Sequence, residues 1–99
     1  MDILDLIAQC SGFQWDEGNL EKVLLRHRVS KDECEEVLLG HSIFAEANET
    51  HSTGEPRYCV MGRTASRRCL YVTFTIRGDL LRVISARDMS RRERRIYFK

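Results

Sequence analysis

The sequence predicts an α+β domain in which N-terminal helices pack on one face of a twisted antiparallel sheet and a C-terminal helix follows the sheet. Apolar residues recur at helical spacing up to about residue 40 and alternate with polar residues from about residue 42 onward. Capping boxes begin at Ser30 and Ser90, and a Gly78-Asp79 turn joins the last two alternating runs. The 99 residues are the size of one domain, and we expect 1–99 to form it with 1–12 as an accessory helix.

The accessory helix is the first predicted element. Its apolar stripe has helical spacing and consists of Ile3, Leu6, Ile7 and Cys10. Gly12 supplies the backbone freedom that ends such a helix. The next three residues, Phe13 to Trp15, alternate apolar and polar side chains and predict a short strand.

Two helices are predicted to follow back to back. Asp16 is a suitable N-cap for a helix that runs to about His27. Its expected inner stripe is Leu20, Val23, Leu24 and His27. Ser30 and Glu33 form the capping box of the second helix, which ends at Gly40. That helix is expected to bury Cys34, Val37 and Leu38.

A strand at Ile43 to Ala45 and a polar loop over 48–56 are predicted next. Three further strands are predicted at Arg57 to Arg63, Cys69 to Arg77 and Leu80 to Arg87. In the central one, Leu70, Val72, Phe74 and Ile76 alternate with Tyr71, Thr73, Thr75 and Arg77. One face is therefore core and the other polar. Ser90 with Glu93 starts a basic helix that ends in Tyr97.

Charge is distributed unevenly along the chain. Residues 1–56 contain 4 basic and 12 acidic side chains, whereas residues 57–99 contain 12 basic and 3 acidic ones. A basic half attracts polyanions, unless contact between the two halves neutralises it. The acidic first residues and the lack of a long apolar stretch lead us to expect a cytoplasmic protein without membrane contact. The four separate cysteines are expected to be reduced thiols.

The polar sheet face is the candidate site. If the alternation holds, Arg57, Met61 and Arg63 share it with Thr73, Thr75 and Arg77. Guanidinium groups bind phosphate oxygens in pairs and stay charged. Such a face could simply bind RNA. It could also stabilise the transition state in which the 2′-OH of RNA attacks the adjacent phosphate, which requires no cofactor.

Other side chains leave alternatives open. The spacing of His27, His41 and His51 does not favour a metal site, and His27 is more consistent with a core position. His51 with Glu55 could transfer protons beside the arginines or belong to an ordinary polar loop. Trp15 could plug the core or stack on a base, and Tyr97 is similarly ambiguous.

Five segments of the chain match a known pattern in order and spacing. They are FQWDEGNLEKVLLRH, VSKDECEEVL, HSTGEPRY, GRTASRRCLYVTFTIRG and RVISARDMSRRERRIY. Together, from Phe13 to Tyr97, they resemble the BrnT family of type II toxin-antitoxin toxins. The resemblance implies a RelE-like fold and a metal-independent endoribonuclease that cleaves mRNA and arrests translation. It also implies a ribbon-helix-helix antitoxin as partner, with DNA contacted only through that antitoxin.

The resemblance assigns roles residue by residue. The arginines of G-R-T, F-T-x-R and I-S-A-R are expected to be catalytic, and they are Arg63, Arg77 and Arg87. We expect RNA to be bound by Trp15 of the W-D motif, Thr75 of F-T-x-R, Arg57 on the polar face and Tyr97 on the last helix. No metal ligand is expected.

The chain departs from the family pattern at three positions. Arg28 stands where family members often have glycine, Pro56 interrupts an E-E-R run, and Ser90 stands where many have histidine. Ser90 removes one potential general acid or base from the last helix.

The turn at Gly78-Asp79 decides which arginine joins the polar face. A two-residue turn places Arg82 there and Arg87 on the core face, and a three-residue turn reverses this. The longer turn is favoured because Arg87 can then reach the site.

Two other functions compete with the endoribonuclease. One is a non-catalytic RNA- or ribosome-binding protein, and the other is an interaction protein that docks an acidic partner.

Overall fold

Four helices and five strands occur within residues 3–40, 44–47 and 54–99, which are the residues that the computed structural model describes. In chain order the elements are α1 (Ile3–Gln9), β1 (Gly12–Phe13), α2 (Glu17–His27), α3 (Lys31–Leu38), β2 (Phe44–Ala47), β3 (Tyr58–Arg63), β4 (Cys69–Arg77), β5 (Leu80–Asp88) and α4 (Arg91–Tyr97). No helix in these ranges is long and apolar enough to cross a membrane. The predicted positions Ile43, His41 and His51 lie outside them.

The strands form one sheet in the order β1-β5-β4-β3-β2. Strands β2 to β5 pair antiparallel, as predicted, and the α+β fold class is confirmed. The predicted strand at Phe13 to Trp15 is shorter and earlier, at Gly12–Phe13, and it pairs parallel with β5. This pairing joins residues about seventy positions apart, so local alternation could not reveal it.

The main core lies between the sheet and the N-terminal helices. Strand β4 supplies its centre, because Leu70, Val72 and Phe74 are fully buried and Ile76 packs against them. The predicted alternation of β4 is confirmed. Helix α3 buries Cys34, Val37 and Leu38, as its spacing predicts. Ile3 of α1 also belongs to this core, with Ile7 and Cys10 packed against it.

Helix α2 packs through a different stripe from the predicted one. Only Val23 of the expected stripe is buried, whereas Leu24 is 50% exposed and His27 lies at the surface, so the predicted core position of His27 is wrong. The buried neighbour of Val23 is Asn19, which is 3% exposed. Its amide donates to the carbonyls of Gln14 and Val83, both at 3.0 Å. These two hydrogen bonds offset the cost of burying a polar group. The buried stripe of α2 therefore includes Asn19 and Val23, and Leu20 and Leu24 are exposed.

The predicted capping boxes are confirmed. Ser30 accepts from Glu33 N–H at 3.1 Å while the Glu33 carboxylate accepts from Ser30 N–H at 2.9 Å. Ser90 and Glu93 repeat this reciprocal pair at the start of α4. Ser90, the departure from the family pattern, therefore has the structural role of starting α4.

Arg68 ties the α2-α3 junction to the end of β5. Its guanidinium donates to both carboxylate oxygens of Asp88 at 2.8 and 3.1 Å, to the carbonyl of Arg28 at 2.8 Å, and to Glu33. Arg28 caps α2 with φ 54, a left-handed conformation that favours glycine. The glycine that family members often have at this position matches that geometry. These contacts of Arg68 hold the end of β5, next to Arg87, in place.

The second face of the sheet is only partly open. Helix α4 packs on it, and Met61, Cys69 and Met89 form a second buried cluster with Tyr71 and Tyr97 against it. The interpretation of this face as wholly available for function is therefore wrong at its α4 end. All four cysteines are free thiols, as expected.

Candidate functional site

Five arginines lie along the face of the sheet that points away from α1, α2 and α3. Cross-strand partners share a face, and the register places Cys59, Thr73 and Ser85 side by side at its centre. On either side of this centre the arginine face, as we call it, carries Arg57, Arg63, Arg77, Arg82 and Arg87. All lie on β3, β4 and β5 or directly before them.

A bulge places both Arg82 and Arg87 on this face. The turn has two residues, since Arg77 pairs with Leu80, so the favoured three-residue turn is wrong. Arg82 is thus opposite Thr75, as the short turn requires. The register then shifts by one residue at Ile84, and Arg87 is opposite Tyr71 on the same face. The predicted position of Arg87 is correct, but its cause is the bulge and not the turn.

The Arg77 cluster occupies one end of the face and consists of Asp16, Glu55, Arg57, Arg77 and Arg82. Arg77 donates to both oxygens of Glu55, at 2.9 and 3.0 Å. This fork, together with the charges of Arg57 and Arg82, lowers the pKa of Glu55. The cluster thus gathers three guanidinium groups around an ionised carboxylate.

The second carboxylate of the Arg77 cluster comes from the start of α2. Arg82 forks onto Asp16 at 2.7 and 3.2 Å, and these hydrogen bonds lower the pKa of Asp16. Arg57 differs from its neighbours, because its Nε is buried and has no hydrogen-bond acceptor among the described residues. A buried donor without a partner is costly, and an anion bound beside it would supply the missing acceptor.

Thr75 holds the segment that carries Glu55 and Arg57. It is 1% exposed, and its hydroxyl donates to the Pro56 carbonyl at 2.8 Å. The predicted RNA contact of Thr75 does not match this geometry. Thr75 instead helps to position Glu55 and Arg57, the neighbours of Pro56 in the Arg77 cluster.

The Arg87 cluster lies at the other end of the face and consists of Arg63, Tyr71, Arg87, Glu93 and Phe98. Arg87 stacks on Tyr71, with its guanidinium carbon 4.3 Å from the ring centre, and forks onto Glu93 at 2.7 and 2.8 Å. These hydrogen bonds lower the pKa of Glu93 to about 2. Glu93 also caps α4, so this carboxylate is held ionised and in place.

Arg63 lies beside an aromatic pair at the end of α4. Its guanidinium carbon is 5.4 Å from the centre of the Phe98 ring. Tyr97 and Phe98 meet edge to face with centres 5.0 Å apart. Tyr97, which the sequence suggested for RNA binding, packs against the second buried cluster, while Phe98 is the exposed ring of the pair.

The structure does not bring the three predicted catalytic arginines together. Arg63 pairs with Cys69 at the start of β4, and Arg77 lies eight residues later at its end. At the usual rise of a strand this separation is about 26 Å, more than two arginine side chains can bridge. Arg63 and Arg87 are neighbours across the start of β4. One phosphate can contact either cluster but not both.

Trp15 lies on the helix side of the sheet. It packs against the main core, and its indole N–H donates to Glu35 of α3 at 2.8 Å. The core interpretation of Trp15 thus fits its surroundings, and the predicted RNA contact does not. Its effect on the site is indirect, because the next residue is Asp16 of the Arg77 cluster.

Sequence reasoning missed the contacts that Asp16, Arg68 and Phe98 make around the arginine face. Asp16 was identified only as a helix cap, and its contact with Arg82 depends on the parallel pairing of β1 with β5. Arg68 carries no local signal. Phe98 could have been found, since an aromatic residue among basic ones is a feature of surfaces that bind single-stranded nucleic acid.

Comparison with known proteins agrees with the sequence resemblance. A solved structure, the crystal structure of the Brucella abortus ribonuclease toxin BrnT, matches with a TM-score of 0.57 and 25% identity over 81% of this chain and 97% of that chain. None of the curated proteins compared with the chain matches it. The model of a family described as the ribonuclease toxin BrnT of type II toxin-antitoxin systems matches residues 15–93. Because this match covers most of the sequence, the chain belongs to the BrnT family of ribonuclease toxins.

Proposed function

We propose that this chain is an endoribonuclease toxin that cleaves mRNA in the cytoplasm and so arrests translation, without a metal ion or another cofactor. Membership of the BrnT family implies an RNA substrate and an antitoxin partner. The observation that carries the proposal is the Arg77 cluster, in which Arg77 donates to both oxygens of Glu55 at 2.9 and 3.0 Å with Arg57 and Arg82 on the same end of the face. Guanidinium groups so placed suit a phosphodiester that gains negative charge during cleavage.

The reaction needs one base and one proton donor. A phosphate that binds Arg77 displaces Glu55 from the guanidinium, and the freed carboxylate accepts the proton of the 2′-OH. The 2′-oxygen bonds to phosphorus, and the bond from phosphorus to the 5′-oxygen breaks. The leaving oxygen takes a proton from water or from His51, four residues before Glu55 in the sequence. The products are a 2′,3′-cyclic phosphate and a 5′-hydroxyl.

Arg63 and Arg87 bind other phosphates of the same strand, several nucleotides from the one that reacts. Arg87 is opposite Tyr71 and therefore lies six residues from Arg77 along β4, about 20 Å. A single strand several nucleotides long covers such a distance. Arg77 then stabilises the reacting phosphate, and Arg63 and Arg87 hold the strand in register.

We further propose a ribbon-helix-helix antitoxin that covers the arginine face and mediates any contact with DNA. The support is the family resemblance together with the positive charge of this face. Its carboxylates would compete with RNA for the same guanidinium groups.

The decisive experiment incubates the purified protein with single-stranded RNA in excess EDTA. We expect cleavage that leaves cyclic phosphate ends, and loss of cleavage when the nucleotide 5′ to the cut is 2′-deoxy. RNA binding without cleavage would support the non-catalytic RNA- or ribosome-binding alternative. If the protein neither binds nor cleaves RNA, the result would favour an interaction protein that docks an acidic partner. A folded Arg77→Ala variant should be inactive, while Arg26→Ala, a change at the surface of α2, should cleave normally.

A further inference from the structure

An exposed aromatic ring lies where α4 ends beside the arginine face. Phe98 is 51% exposed although it is a large apolar side chain. Its neighbour Tyr97 contacts the second buried cluster and supports the ring edge to face. Half of this ring is open to solvent and can be reached by a ligand, and what distinguishes it from other exposed apolar side chains is its surroundings.

Two guanidinium groups frame the ring. The carbon of Arg63 is 5.4 Å and that of Arg94 is 5.7 Å from its centre. Both arginines are exposed, as are Arg91, Arg92 and Arg95 on the same short helix. The surroundings therefore favour a ligand that combines a flat π-system with negative charge.

An unpaired nucleotide has both properties. Its base has a π-face that stacks on an aromatic ring or a guanidinium plane, and its phosphates pair with the arginines around the ring. We propose that Phe98, framed by Arg63 and Arg94, is a stacking site for one unpaired base of the RNA. This inference rests on the proposed function and adds a base contact outside the Arg77 cluster.

The proposed site also has a defined place relative to the reaction. Arg63 belongs to the Arg87 cluster, about 26 Å from Arg77 along β4. The stacked base therefore lies several nucleotides from the cut. Stacking at that distance increases the affinity for single strands and adds nothing to the affinity for duplexes, whose bases cannot leave their partners.

The test measures binding of a single-stranded 2′-O-methyl oligoribonucleotide that carries a sequence cut by the wild type. This probe lacks the attacking hydroxyl and stays intact. Phe98→Leu should weaken binding about tenfold or more, since a stacked base contributes about that much. Phe98→Trp should retain affinity. Ile96→Ala is the matched control, because Ile96 is an exposed apolar residue on the same helix, at 43%.

A second measurement separates stacking from a structural effect of the substitution. Abasic sites are introduced at each position of the oligonucleotide in turn. At one position, loss of the base should weaken wild-type binding about tenfold and leave Phe98→Leu binding unchanged. Equal losses in both proteins at every position would overturn the stacking site and leave the proposed function intact. A wild type that neither cleaves nor binds RNA would overturn both.

Discussion

At the residue scale, three arginines of the site are held by carboxylates of the same chain. Arg77 forks onto Glu55, Arg82 onto Asp16 and Arg87 onto Glu93. Each pair fixes the guanidinium plane before any phosphate arrives, so little side-chain entropy is left to lose on binding. The carboxylates also exclude weak anions, because a ligand must compete with a bidentate partner. Phosphate groups of RNA, bound at both clusters of the face at once, can do so.

Arg77→Lys should separate RNA binding from RNA cleavage. An ammonium group keeps the charge but cannot bridge two phosphate oxygens, so RNA binding should persist while kcat falls about a hundredfold or more. Single-turnover cleavage and equilibrium binding measure the two effects. Arg26→Lys, on the surface of α2, is the control and should change neither. Full toxicity of a folded Arg63→Ala, Arg77→Ala variant in cells would contradict the assignment.

The pH dependence of cleavage should identify Glu55. Its pKa is lowered in the free protein, chiefly by the hydrogen bonds from Arg77, so its basic form persists to a lower pH than in an ordinary glutamate. The acid limb of the pH profile of kcat/KM, which reports the free enzyme, should therefore lie at a lower pH than an ordinary glutamate would give. Bound phosphate takes Arg77 and adds negative charge, which raises the pKa of Glu55, so the acid limb of kcat should lie at higher pH. Glu21→Gln, a surface change on α2, should leave both limbs in place.

Much of the site was predictable where strand alternation decides it. Arg63 and Arg77 were assigned to the polar face from their spacing, and both lie there. The joint position of Arg82 and Arg87 could not be derived, because the bulge at Ile84 depends on pairing with β4 and has no local signature. The separation of Arg63 from Arg77 was also missed. Alternation tells on which face of the sheet a residue lies, but not which residues on that face are close together.

At the scale of elements, α4 is the part of the fold that joins stability to the site. Its N-terminal carboxylate, Glu93, caps the helix and holds Arg87, and its C-terminal end carries Phe98. A seven-residue helix has little stability of its own. Its attachment therefore depends on these contacts and on Tyr97.

Glu93→Gln should reduce the pH dependence of stability. The pKa of Glu93 is lowered from 4.5 to about 2, so its carboxylate stabilises the folded chain above the ordinary pKa and ceases to do so as pH falls toward 2. The wild-type free energy of unfolding should therefore fall more than that of the variant between about pH 5 and pH 2. Denaturant unfolding at several pH values measures this. Parallel curves would show that Glu93 does not couple folding to protonation.

Removal of α1 should lower stability and preserve the fold. The family match begins at residue 15, after α1 and β1, whereas Ile3 is buried in the main core. A chain that begins at Ser11 should unfold cooperatively with a free energy of unfolding lower by about 2 kcal/mol, the value of one buried aliphatic side chain. Leu4→Ala, on the exposed side of α1, should change little. Non-cooperative unfolding of the shortened chain would show that α1 completes the core.

Element boundaries were most predictable where a side chain closes the helix locally. Ser30 and Ser90 were recognised from their partners three residues later, and both boxes form. The inner stripe of α2 was predicted one position away, because the buried Asn19 is polar and its two acceptors come from distant parts of the chain. In α2 the apolar pattern therefore predicted the wrong stripe, because a polar side chain with distant acceptors is buried where Leu20 and Leu24 were expected.

At the scale of the whole molecule, the two oppositely charged halves of the sequence meet without cancelling. Ion pairs that cross between residues 1–56 and 57–99 include Glu33 with Arg68, Glu55 with Arg77, and Asp16 with Arg82. Helix α4 and the residues after it carry five basic side chains and one acid, Glu93. The arginine face and α4 together therefore form a surface with net positive charge, as binding of a polyanion requires.

This charge should control how fast the antitoxin binds. Opposite charges accelerate the encounter of two proteins. Salt screens that attraction, with a Debye length of about 8 Å at physiological ionic strength. The association rate, measured by stopped flow, should fall as salt rises. Replacing Arg91, Arg92 and Arg95 with glutamine should lower the low-salt rate and flatten the salt dependence, while the same change at Lys22 and Arg26 on α2 should not. Dissociation is less informative, because apolar burial can hold the formed complex at high salt. A salt-independent association rate would contradict binding of the antitoxin to the basic surface that the arginine face and α4 form.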